Sequence, residues 1–127
     1  MNISEISYQI NENAKAKGFW DNGIDIPEKL MLIVSEISEA MEADRINKRA
    51  DWTYDGPPII QPEQLDDEKF KELFESWVKN TLEDELADAA IRIFDLAYQM
   101  GINLEWHIAQ KVRYNSMRPH MHGGKKY

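Results

Sequence analysis

The sequence predicts an all-α protein: a four-helix-type bundle with an irregular insert and a short extra helix between the second and third main helices. Three observations predict it. Apolar residues recur at helical spacing in four long segments, no segment shows the strict alternation of a half-buried strand, and capping residues or glycines punctuate the segments.

The elements follow in chain order. Asn2 with Glu5 three residues on has the form of a capping box, and Ile3, Ile6, Ile10 and Ala14 make one stripe. A first helix is therefore expected over 3–17, with Gly18 as its stop. Pro27 suits the first turn of a second helix that reaches about Lys48. The stretch 50–64 holds three prolines and a glycine and is expected to be irregular. The run 66–80 then reads as a short amphipathic helix. Phe70, Phe74, Trp77 and Val78 lie on one side, and Glu72 and Glu75 lie opposite among Lys71, Ser76 and Lys79, an ordinary solvated face. Thr81 followed by Asp84 resembles a second capping box and starts a helix ending near Gly101. Asn103 caps a last helix that stops before Pro119, and 119–127 is expected to be a flexible tail. No repeat or linker divides the 127 residues, so a single domain is expected.

Composition narrows the function. A net charge of −8 argues against coating a nucleic-acid polymer, though a small anionic ligand remains compatible if a metal ion or a local cationic cluster neutralises it. No apolar run approaches the roughly 20 residues of a membrane span, and the N-terminus lacks a signal-peptide pattern. The absence of cysteine excludes disulfides and thiolate metal sites and favours a cytoplasmic location.

The acids carry the chemistry. Six pairs stand at three-residue spacing: Asp25/Glu28, Glu36/Glu39, Glu39/Glu42, Glu63/Asp66, Glu72/Glu75 and Glu85/Asp88. A chain this acidic gives about four by composition alone, so spacing decides nothing and embedding must. In the second helix Leu30, Ile33, Val34, Ile37 and Met41 form one apolar stripe, while Leu32, Ala43 and Ile46 project on nearly the other side, which also carries Glu36 and Glu39. A helix apolar on two sides is usually buried on two sides. Glu42 lies toward Ser35 and Ser38 and is assigned to solvent. The helix beginning at 82 is apolar around most of its circumference, and Glu85, Asp88, Arg92, Asp95 and Gln99 share one stripe about 80° wide. That stripe is either the helix's solvent edge or part of a site. If the two helices are neighbours, Glu36, Glu39, Glu85 and Asp88 face one another, and a hard divalent cation, Mg²⁺ or Mn²⁺, is their natural counter-charge. No histidine follows an acid by three and no His-Asp dipeptide exists, which weakens di-iron and His-Asp phosphohydrolase alternatives.

These residues resemble the MazG-like nucleotide pyrophosphohydrolases, an all-α superfamily related to the dimeric dUTPases. The matching pieces are "GFWD" at 18–21, "KLMLIVSEISEAMEADR" at 29–45, "EDELADAAIRIFDLA" at 83–97 and "KVRYNSMRPHMHGGK" at 111–125. The resemblance implies that Glu36, Glu39, Glu85 and Asp88 are the metal ligands. It also implies hydrolysis of a nucleoside triphosphate between the α and β phosphates, giving a monophosphate and pyrophosphate, with clearance of non-standard nucleotides as a usual role. A homodimer or homotetramer is implied too, and small bundles with wide apolar faces commonly associate. The segment 40–84 is longer than in compact members of that family.

On this reading Glu36 or Glu39 takes the proton of the attacking water. Lys111, Asn115 and Arg118 share one face of the last helix and suit phosphate contacts, although basic residues there also fit the end of a helix. Arg92 either contacts phosphate or balances Asp88 and Asp95, the second being favoured. Trp20 is a candidate for stacking on a base, though a lone tryptophan is more often core; Trp52 and Tyr54 are candidates for a lid. His120, His122, Lys125 and Lys126 belong to a basic tail that closes over phosphates or is simply a disordered end. Two rival functions stand beside this one: a non-catalytic helical interaction module with surface acids, and a metal-dependent phosphohydrolase releasing single phosphates.

Overall fold

The computed structural model describes residues 1–50, 62–119 and 126. The fold is all-α, with helices packing on helices: α1 (Ile3–Ala16), α2 (Ile26–Arg45), α3 (Asp67–Trp77), α4 (Leu82–Gln99) and α5 (Leu104–Ser116), with one 3-10 turn at Pro62–Gln64. The short extra helix falls between the second and third main helices, where the sequence places it. The lid residues Trp52 and Tyr54, most of the irregular insert, and the tail residues His120, His122 and Lys125 lie outside the described residues.

The chain forms two compact units, Met1–Gly23 with Phe94–Tyr127, and Ile24–Ile93. In the first, α1 opens on the expected capping box: the Glu5 amide donates to Asn2 Oδ1 at 2.8 Å and the Asn2 amide to Glu5 Oε2 at 3.4 Å. It ends one residue before Lys17, and Gly18 follows in the left-handed region at φ 83. That backbone angle favours glycine; a Cβ there would also meet Asp21 Oδ2 at 3.0 Å, a side-chain tip that can move aside. Gly101, at φ 71, closes α4 in the same way, and Ile102 N–H reaches back to the Ala97 carbonyl at 2.9 Å. Asn103 then caps α5 by accepting from the Trp106 amide at 3.1 Å. α5 lies against α1, where Ser4 Oγ donates to Glu105 Oε2 at 2.7 Å.

The buried line of α1 is Ser7, Asn11 and Ala14, one position round from the predicted stripe; Ile3, Ile6 and Ile10 are half-buried. The amide explains the rotation. Asn11 Nδ2 donates to Asp95 Oδ1 at 2.8 Å and Gln99 Oε1 at 3.0 Å, so the polar stripe of α4 supplies acceptors that an isoleucine would leave unused.

In the second unit Asp25 caps α2 by accepting from the Glu28 amide at 3.1 Å, with Pro27 in the first turn. α2 stops at Arg45, and Asn47 turns the chain at φ 56. The Lys48 carbonyl then accepts from the Leu82 amide at 3.0 Å, and the Ala50 amide donates to Glu83 Oε2 at 2.9 Å. These two bonds fasten the end of α2 to the start of α4. Glu36, three turns back along α2, meets Arg92, nearly three turns on along α4, so the two helices run antiparallel. Asn80, at φ 62, and Thr81 set the start of α4. Thr81 Oγ1 accepts from the Asp84 amide at 3.3 Å and donates to the Val78 carbonyl at 2.6 Å, while Asp84 accepts from the Asn80 amide at 2.8 Å.

The structure adds the burial of two faces that helical spacing leaves open. The short helix α3 buries none of its residues: Phe74 and Val78 are half-buried, and Phe70 and Trp77 are exposed. On α4 the polar stripe is not the solvent edge. Glu85 is buried and Asp88, Asp95 and Gln99 are half-buried, whereas Leu86, Ile91, Ile93 and Tyr98 are exposed. Donors account for part of this: Asp95 accepts from Asn11 and Trp20 and Gln99 accepts from Asn11, whereas Glu85 is buried beside other acids, which is costly.

Thr81 sits at the join between α3 and α4 and is itself buried. Thr81→Ala is expected to cost about 1 kcal/mol in urea unfolding, while Thr81→Ser keeps most of that stability. Equal loss in both variants would assign the effect to the methyl group rather than to the cap.

Candidate functional site

α2 turns one long face inward. Leu32 and Ile33 are half-buried, and Glu36, Ala40 and Ala43 are buried. The buried alanines are small, as is the buried Ala89 on α4. The two helices bring together Glu36, Glu39 and Glu85, each with one carboxylate oxygen within 4.8 Å of the others. Glu36 and Glu85 are buried and Glu39 is exposed. Asp88, the fourth predicted ligand, stands one turn after Glu85, half-buried and just outside that trio. Glu42 is exposed and lies 3.5 Å from Arg45, as its position on the helix predicts.

One cation enters the cluster. Arg92 Nε donates to Glu36 Oε1 at 2.6 Å. Arg92 thus balances an acid of the other helix, rather than chiefly Asp88 and Asp95 of its own. Burial pushes the Glu36 carboxyl up, but the Arg92 guanidinium and hydrogen bonds with Glu39 and Glu85 outweigh it and hold Glu36 below its ordinary value. Glu85 has no such partner. Burial first, then the hydrogen bond and charge of Glu39, and then the charges of Asp88 and Asp84, raise it to about 7. Burial and the charges of Asp84, Glu36 and Glu39 also raise Asp88, against the opposing pull of Arg92. One guanidinium among four acids leaves the cluster short of positive charge, and a proton on Glu85 makes up part of the deficit.

Such a donor set fits a hard divalent cation. It offers only oxygens, from three side chains close enough to share one ion, and the raised pKa of Glu85 reflects a shortage of positive charge that a cation would relieve.

Beside Asp88 the same unit opens a cleft of about 390 Å³ between α3 and the first turns of α4. Phe70 and Phe74 form its apolar wall, Lys71 and Lys79 line it together with Glu75 and Asn80, and Asp84 and Asp88 line it from α4. Lys71 and Lys79 belong to the face assigned to plain solvent. Helical spacing separates them from the aromatic side of α3, and nothing in the spacing shows that α4 is near.

The remaining candidates lie in the other unit. Trp20 is buried, and its indole N–H donates to both Asp95 oxygens at 3.1 Å. Lys111, Asn115 and Arg118 are exposed on and just beyond α5, with Lys111 Nζ 4.9 Å from the Tyr114 ring centroid. Asn11 and Asp95 join Trp20 in a polar group that the sequence does not single out; the weak signal is an asparagine on the buried side of an amphipathic helix. No protein-family model, curated protein or solved structure matches the chain.

The acidities give a pH test in metal-free buffer. Glu85 titrates near 7 when folded, above its ordinary 4.5, so the folded protein binds the extra proton between those values. Stability then falls as pH rises through that window, and Asp88 adds to the same trend. Glu36 acts oppositely, losing its contribution as pH falls through its lowered value. With chelator present, the wild type is expected to be less stable at pH 8 than at pH 5.5 in urea titrations. Glu85→Gln should flatten that slope, and a variant keeping the wild-type slope would place the proton elsewhere.

Proposed function

We propose that the protein is a divalent-metal-dependent nucleoside triphosphate pyrophosphohydrolase, cleaving between the α and β phosphates to release a monophosphate and pyrophosphate. The observation that carries the reading is the meeting of Glu36, Glu39 and Glu85 from two helices, short of positive charge and open to the surface at Glu39. The resemblance of the two acid-bearing segments to the MazG-like enzymes supplies the reaction class.

In this reading Glu36, Glu39 and Glu85 hold Mg²⁺ or Mn²⁺, with Asp88 at the cleft edge completing the set. When bound, such an ion polarises phosphate oxygens and lowers the pKa of water. The chain's own residues then divide the work. Arg92 fixes the Glu36 carboxylate through its Nε–H, so Glu39, the exposed acid, is assigned to accept the proton of an attacking water at the carboxylate oxygen not given to the ion. Lys71 and Lys79, beside Asp88, face phosphate oxygens, and the phenyl rings of Phe70 and Phe74 exclude water from one wall. Lys111, Asn115 and Arg118 belong to the other unit and are given no role at this site. The reading takes the protein to be a cytoplasmic homo-oligomer.

A second reading, a helical interaction module, draws on the many large apolar residues left exposed, among them Val34 and Met41 on α2 and Trp106 and Val112 on α5. Metal binding separates the two. The first expects Mn²⁺ or Mg²⁺ at 100 times its Kd to stabilise the protein by about 2.7 kcal/mol, read as a rise in Tm that Glu36→Gln abolishes. Incubation with a panel of nucleoside and deoxynucleoside triphosphates plus Mg²⁺ is expected to yield monophosphate and pyrophosphate. Glu39→Gln should lower turnover by about 100-fold or more with the fold intact. Diphosphate plus phosphate as products would replace the proposed cleavage with release of single phosphates, and no metal-linked shift would favour the interaction module.

A further inference from the structure

The cleft beside Asp88 lies wholly within the second unit and holds more than phosphate requires. Its volume of about 390 Å³ is at the lower end of the range for small-ligand pockets. Four of its lining residues come from one side of α3. At about 100° per residue, Phe70, Phe74, Lys71 and Glu75 follow one another across about 140°, with the rings at one edge and the charges at the other. The ring centroids are 5.8 Å apart and the planes 35° from each other, so the two phenyls form one broad wall rather than a pair of jaws. Phe74 is half-buried and Phe70 is 38% exposed, which leaves apolar ring surface along the cleft.

The polar groups at the other edge are uncommitted. Among the described residues the side chains of Lys71, Glu75, Lys79 and Asn80 make no hydrogen bond or ion pair, although Lys69 of the same helix pairs with Glu72. Asp84 is engaged, accepting from the Asn80 backbone amide at 2.8 Å. That bond, with φ 62 at Asn80, pins the backbone from which the Asn80 carboxamide joins the lining. A purely ionic ligand would gain nothing from the phenyl wall, and a purely apolar one nothing from the polar edge. A nucleobase uses both, because it has a flat π face and a rim of donors and acceptors. With Lys71 and Lys79 assigned to phosphate and Asp88 to the ion, Glu75 and Asn80 are left for that rim. A carboxylate only accepts, and a carboxamide both accepts and donates, so acceptors predominate. Such a set suits a base with an exocyclic amino group beside a ring nitrogen better than one with a carbonyl oxygen there.

We infer that the cleft binds the base of the nucleotide, with Phe70 and Phe74 stacking on its face and Asn80 and Glu75 reading its amino-bearing edge. The short helix α3 thereby makes the protein selective for amino-bearing bases over uracil and thymine. This inference rests on the nucleotide substrate of the proposed function and names the part of it that is recognised.

Binding is tested apart from hydrolysis with α,β-imido triphosphates of cytidine, adenosine and uridine, which cannot be cleaved at the proposed bond. With Mg²⁺ and the full chain, the cytidine or adenosine analogue is expected to shift the Asn80 side-chain amide signals in nitrogen-resolved NMR. It should bind tighter than the uridine analogue by about fivefold or more. Asn80→Gly keeps the left-handed backbone angle and removes the carboxamide, so it should erase that preference. Phe70→Ala, at an exposed ring, should weaken all three analogues by about fivefold or more. Trp77→Ala removes a ring of α3 outside the cleft and should leave them unchanged. If triphosphates give monophosphate and pyrophosphate but the Asn80 signals stay still and Asn80→Gly and Phe70→Ala keep the wild-type KM, the inference falls and the hydrolase stands. If no triphosphate is hydrolysed yet the analogues bind with these preferences, the hydrolase falls and the inference stands. Equal binding of the uridine analogue, or binding of none of the three, overturns the inference.

Discussion

The Arg92–Glu36 pair is the interaction on which the second unit is organised. A buried carboxylate without a partner is costly enough that a helix would turn it to water. With a guanidinium 2.6 Å away, Glu36 is held inside and charged, and the inner face of α2 is fixed as the face that carries it. Glu39 follows because it stands one turn on. Glu85 follows because the bonds from Leu82 to Lys48 and from Ala50 to Glu83 set the offset between α2 and α4. One arginine cannot neutralise all of these acids, and the unmet charge, together with burial, appears as the raised pKa values of Glu85 and Asp88. The site is therefore an electrostatic deficit held in place by hydrogen bonds that do not take part in it.

Local chemistry made the helices legible. Asn2, Asp25, Thr81 and Asn103 each place an oxygen where an unpaired amide needs one, and Gly18 and Gly101 take backbone angles that other residues resist. These signals act within a few residues, so the sequence read alone contains them. The trio Glu36, Glu39 and Glu85 was legible for a different reason: acids flanked by apolar residues on two helices imply a shared space. What depended on distant partners was not legible. The amide of Asn11 on α1 and the cleft that Lys71 and Asp88 both line require knowing which helix lies opposite. Arg92 shows the limit most plainly. Its neighbours at 88 and 95 are one turn away on its own helix, yet its bond is to a residue 56 positions earlier.

The two sides of α2 depend on each other. Its inner side is lined by small residues because carboxylates from two helices must come within bonding distance, and Ala40 and Ala43 bury little apolar surface. Among the described residues the wholly buried apolar side chains are five alanines with Trp20 and Leu96, while most of the large aliphatic residues are exposed. A unit that spends its interior on charge has to find its hydrophobic stabilisation elsewhere. The outer stripe of α2 is where the sequence has put it, as branched and long side chains that a lone α2 leaves half in water.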